Sequence, residues 1–417
     1  MTLLRQGSAG QTREAASQDG RRRMAVWMGW VLMAGCVLVA PLGWLAPREF
    51  VIPVTLIGVF GLPAARLRDD DRPVAVILFA GLIWAAVSTL WSPYHPHKLA
   101  ETTILKMALE LPLYGAAVLA VRRADPVLTR RALEWLAIGC AVFGVILLAE
   151  GASQAAVYKT LRVFYAPIRA DLAEARIGHS TYVLGAIWPL AALGGPRRWR
   201  PWLALAMFAG VAAAAFAFGS DAPVLGLLLA PLAALLVWRW PDAGPKLLAG
   251  LAVALFLGMP ALVWAVRHFL DYGAIERAAP QTDAMRLDYW SHAIDWIRLR
   301  PLQGWGLDAS RVFGPGIRLH PHNAPLQVWL ELGVVGAVLA AAFWGVALVR
   351  LSQPRRSLRT AAVCACAAVY LLFGVNFGVW QEWWLALGAL IALLGAANAR
   401  AAEADPPPAP PPAAEST

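Results

Sequence analysis

Long apolar stretches broken by short polar loops dominate the chain. About twelve of them approach the roughly 20 residues needed to cross a bilayer. They lie near 24–46, 50–65, 73–92, 99–121, 129–150, 179–194, 199–218, 222–240, 246–267, 324–350, 359–379 and 383–399. The second and sixth are short. This pattern predicts an all-α integral membrane protein with a large helical loop between the ninth and tenth spans. Residues 1–23 and 400–417 flank the spans, and both are expected to be disordered; the second is rich in proline and alanine. Spans one to nine fill 24–267, the long loop 268–323, and spans ten to twelve 324–399.

The loop charges orient the bundle. Arg66, Arg68 and Arg72 follow span two, and Arg122, Arg123, Arg130 and Arg131 follow span four. Arg197, Arg198 and Arg200 follow span six. Arg239 and Lys246 flank the loop after span eight, and Arg350, Arg355, Arg356 and Arg359 follow span ten. Alternate short loops, such as Pro47-Arg48-Glu49 and Gly219-Ser220-Asp221, carry little positive charge. The positive-inside rule then places both termini in the cytoplasm and the long loops at 151–178 and 268–322 outside. Arg21-Arg22-Arg23 precedes an apolar run longer than a signal-peptide core, which predicts an uncleaved first span. Trp44, Trp91, Trp199, Trp238, Trp264, Trp380 and Trp383 fall near span ends, as interfacial aromatics do.

Composition agrees. The 417 residues are 59% hydrophobic and only 15% charged, with a mean hydropathy of +0.57. The net charge of +10 resides in short loops, so it argues for orientation and against nucleic acid. Cys36, Cys140, Cys364 and Cys366 each sit inside an apolar run and read as small buried hydrophobes.

Two segments of the outer loop carry candidate chemistry. Over Met285–Ile297 the spacing predicts an interfacial helix, with Leu287, Trp290, Ile294 and Ile297 on an apolar face and Asp288, His292 and Asp295 opposite. Arg300-Pro301 should end it, and Gly304-Trp305-Gly306 should turn tightly. The next helix begins at His320-Pro321-His322-Asn323-Ala324-Pro325, with Asn323 as N-cap and Pro325 in the first turn. Asn323, Gln327 and Glu331 recur every fourth residue and should face the bundle interior. Gly333 and Gly336 leave room for close helix packing.

A helix N-terminus beside arginines favours an anion. The same positive surroundings should lower the His322 pKa, and a neutral imidazole can accept a hydroxyl proton. Bland alternatives stand beside these readings. A histidine at a helix start is often a cap. The loop arginines can pair with Asp283, Asp288, Asp295 and Asp308. His320 and His322 could be half a metal site, but no third ligand has suitable spacing.

His322-Asn323, nine residues, then Gly333-Val334-Val335-Gly336 resembles the H-[NSQ]-x9-G-x-x-G signature of bacterial O-antigen ligases. Arg286, Trp290 and Pro301-Leu302-Gln303-Gly304-Trp305-Gly306 resemble the R…W…P-x-x-G-x-G run of the wider ligase and polymerase superfamily. The resemblance covers the C-terminal half by motif and the rest by span count. It implies a C-type glycosyltransferase of the bacterial inner membrane with its active site on the periplasmic side. Such enzymes move a glycan from undecaprenyl diphosphate to a lipid A core sugar, or to another carrier-linked glycan in polymerases. The reaction inverts the anomeric carbon and requires no metal or cofactor. His322 would be the base and Arg286 would hold the diphosphate, with His320, Asn323, Gln327 and Glu331 in support.

One position departs from the pattern. Where the family often carries Ser-Arg-Gly or Ser-Arg-Ala, this chain has Gly219-Ser220-Asp221-Ala222. Arg176, Arg311 or Arg318, all on the outer side, are the candidates to supply the missing charge. A transporter or flippase of an anionic lipid is the alternative from another class. It would need titratable groups deep in the spans and internal symmetry. The candidates are mainly Glu101, Glu110 and Glu134, and the sequence shows no internal repeat.

Overall fold

The computed structural model describes residues 3–164, 167–314, 316–353, 357–373 and 377–404, with side chains from residue 18 onward. Arg355, Arg356 and the expected tail over 405–417 lie outside the described residues. Among those residues the fold is helical, with no strand. In chain order the helices are α1 (Leu3–Leu45), α2 (Val51–Gly61), α3 (Arg72–Ser88), α4 (Thr103–Val121), α5 (Pro126–Ser153), α6 (Ala156–Val163), α7 (Ala170–Gly194) and α8 (Arg200–Ala217). They continue with α9 (Asp221–Arg239), α10 (Gly244–Phe269), α11 (Tyr272–Ala278), α12 (Gln281–Leu299), α13 (Ala324–Val349), α14 (Leu358–Leu372) and α15 (Glu382–Ala402).

Every expected span has a helix. Among the described residues, ten are long and apolar enough to cross a membrane. The remaining two are α7, whose first turns carry Asp171, Glu174 and Arg176, and the short α14. The chain is a multi-pass membrane protein. Val76, Phe79 and Ile83 on α3, and Leu228, Leu232 and Leu235 on α9, are exposed at helical spacing. In water such stripes would be a liability, and lipid is the solvent that suits them. Small residues set the closest helix approach: a Cβ on Gly210 of α8 would lie 2.0 Å from the Gly144 carbonyl oxygen of α5.

Boundaries differ from expectation in two places. Helix α1 starts at Leu3, where disorder was expected through residue 23, and its apolar part is Gln18–Leu45. Helix α14 ends at Leu372, short of 379. Trp383 and Trp380 are more than interfacial anchors. Trp383 is buried and donates to Gln381 Oε1, and Trp380 donates into the interior.

The two sets of loops gather at opposite ends of the bundle. Asp71, after span two, accepts from Arg122, after span four, at 2.8 Å and from Arg350, after span ten, at 3.0 Å. Arg400 at the end of α15 donates to the Ala124 carbonyl at that same end. At the other end Ser180 Oγ donates to the Trp44 carbonyl, Ser92 Oγ to the Leu307 carbonyl, and Val379 N–H to Gln327 Oε1. Helix α13 joins the ends, from Asn323 to Arg350. This grouping is the one that loop charge implied.

Candidate active site

The site is built around a break in α13. Gly333 has φ 65° and ψ −162°, a conformation essentially reserved for glycine. The Leu330 and Glu331 carbonyls accept from Trp305 N–H at 2.9 Å and Gly306 N–H at 2.7 Å. The Leu332 carbonyl accepts from Trp84 Nε1 at 2.9 Å, and Val334 N–H donates to the Pro301 carbonyl. The Pro301–Gly306 turn therefore plugs into the opened helix. This satisfies backbone groups that lipid cannot. The fit excludes side chains: a Cβ on Gly304 would lie 2.4 Å from the Glu331 oxygen, and one on Gly333 would lie 2.3 Å from the Leu302 oxygen. Gly304 and Gly306 also adopt positive φ, 68° and 96°. The expectation that Gly333 spaces two helices is corrected: it admits a loop.

Glu331, two residues before the break, is fully buried. Its Oε2 accepts from Asp308 N–H at 2.9 Å and Trp380 Nε1 at 2.6 Å. Its Oε1 accepts from Ser310 Oγ at 2.6 Å and Gln327 Nε2 at 3.1 Å. Four donors, two from the 308–310 turn, one from α13 itself and one from the segment before α15, make it the hub of the loop fold, and a carboxylate is the acceptor-only group that suits them. Asn323 caps α13 by accepting from Leu326 N–H at 3.1 Å. The expected Asn323, Gln327 and Glu331 stripe is present and buried.

The histidine loop rests on this frame. Trp290 Nε1 donates to the Pro321 carbonyl at 2.9 Å. Helix α12 packs against α10 and α13 rather than lying free at the interface. Its buried face includes Tyr289 and Ala293, which the sequence reading left out. His320 is buried, and its Nδ1 accepts from His322 N–H at 3.2 Å. Burial, then His322 and Arg311, push the His320 pKa down to about 3, so this ring is a neutral acceptor with a structural partner. His322 is half-buried, at φ 51°, with its ring stacked on Tyr289 at 6.1 Å. Asp308 and Leu319 on the same loop also have positive φ. Such strain, about 1–3 kcal/mol each, persists where surroundings over-determine it.

The arginines separate into groups. Arg286 stands one helical turn before Tyr289, largely buried and 2.8 Å from Asp283. Arg311 pairs with Asp308 at 2.8 Å and lies over the Tyr94 ring, near His320. Arg267, which the sequence reading passed over, pairs with Asp295. Arg318 is exposed. Arg176 on α7 is near Arg48, and His179 lies within the electrostatic reach of both. Neither of these two arginines makes an ion pair within 4 Å among the described residues. Gly178 abuts Ser220, so α7 lies beside the Gly219-Ser220-Asp221 turn. Of the three candidates for the missing charge, Arg176 lies on this helix, two residues before Gly178 and toward Arg48. Arg48 escaped sequence reading because one arginine beside Glu49 looks like a neutral loop.

Comparison with known proteins fits this geometry. Residues 206–341 match the family model described as O-Antigen ligase. This part of the chain is similar to the O-antigen ligase family. The ligase match takes in Arg286, the Pro301–Gly306 turn, His322 and the Gly333 break. A "Putative polysaccharide ligase" of Rickettsia felis is 28% identical over 132 residues, covering 28% of this chain and 32% of that protein. Another of the same name, from Rickettsia bellii, is 34% identical over 127 residues, covering 27% and 31%. The match thus spans about a third of these relatives' length. No solved structure matches the chain.

Proposed function

We propose that the chain is a lipid-linked glycan transferase of the bacterial inner membrane, with its site on the periplasmic side. The donor is a glycan on undecaprenyl diphosphate, and the acceptor is a sugar hydroxyl of lipid A core. His322 takes the proton from that hydroxyl. The oxygen attacks the anomeric carbon from the face opposite the diphosphate, the carbon–oxygen bond to phosphate breaks, and its electron pair leaves with undecaprenyl diphosphate. Arg286 and Arg176 neutralise the charge that grows on the departing group, with Arg311 on the His320 side and exposed Arg318 at the rim. His320, Asn323, Gln327 and Glu331 hold the loop in place.

The observation that carries the reading is the stacking of the half-buried His322 ring on Tyr289, one turn from Arg286. It brings a candidate base and a largely buried guanidinium to one wall. A polymerase would use the same chemistry with a carrier-linked glycan as acceptor. Purified protein mixed in detergent with carrier-linked glycan and lipid A core separates the readings by mass spectrometry. Glycan on lipid A core supports the ligase, lengthened carrier-linked glycan supports the polymerase, and no new glycosidic bond contradicts both.

A further inference from the structure

Buried tyrosine hydroxyls are normally hydrogen-bonded. Among the described residues two are not: Tyr182 Oη on α7 and Tyr370 Oη on α14 have no partner, and both residues are 2% exposed. Their rings meet edge to face at 6.2 Å, yet their surroundings differ. Tyr370 lies over bare helix backbone. A Cβ on Gly185 would fall 2.0 Å from its hydroxyl, and one on Gly226 would fall 2.7 Å from its ring. Tyr182 sits one turn below Gly178, beside the Ser220–Asp221 turn, and both Arg286 and Asp221 are within electrostatic reach of it. Its ring is fixed by Phe377 at 4.8 Å and Trp384 at 6.0 Å.

We infer that Tyr182 is a further binding residue, whose hydroxyl donates to a phosphate oxygen of the diphosphate held by Arg286. The inference rests on the proposed function for its ligand. A phosphate oxygen accepts only, which suits a phenolic O–H with no competing acceptor. Asp221 is exposed to solvent, so water screens its charge. An uncharged donor adds attraction for the anion without placing another cation deep in the bundle, where charge is costly. The aromatic packing holds the O–H in position before the ligand arrives, and this reduces the ordering cost of binding.

The test uses full-length protein in detergent, undecaprenyl diphosphate as the probe, and two matched variants. Tyr182→Phe should leave the melting temperature unchanged or raised, because it removes a hydroxyl that has no partner. It should weaken binding of the probe by about tenfold, the worth of one hydrogen bond to a charged group. Tyr370→Phe should change neither. Wild-type binding of the probe by Tyr182→Phe, an equal loss in Tyr370→Phe, or a lowered melting temperature in Tyr182→Phe would each overturn the inference while leaving the proposed function standing. Failure of the wild-type protein to bind the probe would remove both.

Discussion

His320 and His322 are two residues apart and do different work. His320 is buried with its Nδ1 engaged, whereas His322 is half-buried on a strained backbone. The folded chain resists protonating His320 until about pH 3, while an unfolded chain takes that proton near 6.5. The stability conferred by the neutral ring is therefore complete above 6.5 and is lost as pH falls toward 3. Melting curves between pH 7 and 4 should show this decline, and His320→Asn should flatten it. Glu331→Gln should cost on the order of 3 kcal/mol, since an amide presents donors to donors; thermal unfolding in detergent measures this. The Asn323, Gln327 and Glu331 stripe was legible in the sequence because helical spacing alone fixes it. The partners of Glu331 were not. Ser310, Asp308 and Trp380 come from other elements, and Trp380 in particular reads as an ordinary interfacial tryptophan.

At the scale of elements, the break in α13 joins two motifs that are separate in sequence. The Pro301–Gly306 turn donates to the Leu330 and Glu331 carbonyls, and Gly333 gives up its helical conformation to receive it. Gly333→Ala should be severe. The new Cβ meets the Leu302 oxygen at 2.3 Å, and the backbone conformation is strained for any other residue, for a combined loss of about 3 kcal/mol or more. Expression and melting temperature report the loss, and a variant as stable as wild type would contradict the docked-turn account. Hydropathy identified α13 as a span but could not show the break, because one glycine hardly alters an apolar average. The long loop's helix was legible, but its packing was not. Ala293 faces inward because α10 and α13 are there to meet it, and local periodicity does not contain those neighbours.

For the whole molecule, loop charge was the most informative sequence signal. It grouped the loops after spans two, four and ten, which meet at Asp71 in three dimensions. The four native cysteines are buried, so single surface cysteines can report sidedness. Arg318→Cys should react with an impermeant thiol reagent from the periplasmic side and Arg123→Cys only from the cytoplasmic side; labelling of both from one side would contradict the topology. The account's central claim is that a neutral imidazole beside a cationic wall drives transfer from the lipid diphosphate. The most direct test is the transfer rate of purified His322→Ala with carrier-linked glycan and lipid A core, measured alongside its melting temperature. The account predicts a stable, folded protein with no detectable transfer; a folded variant that transfers glycan at the wild-type rate would contradict it.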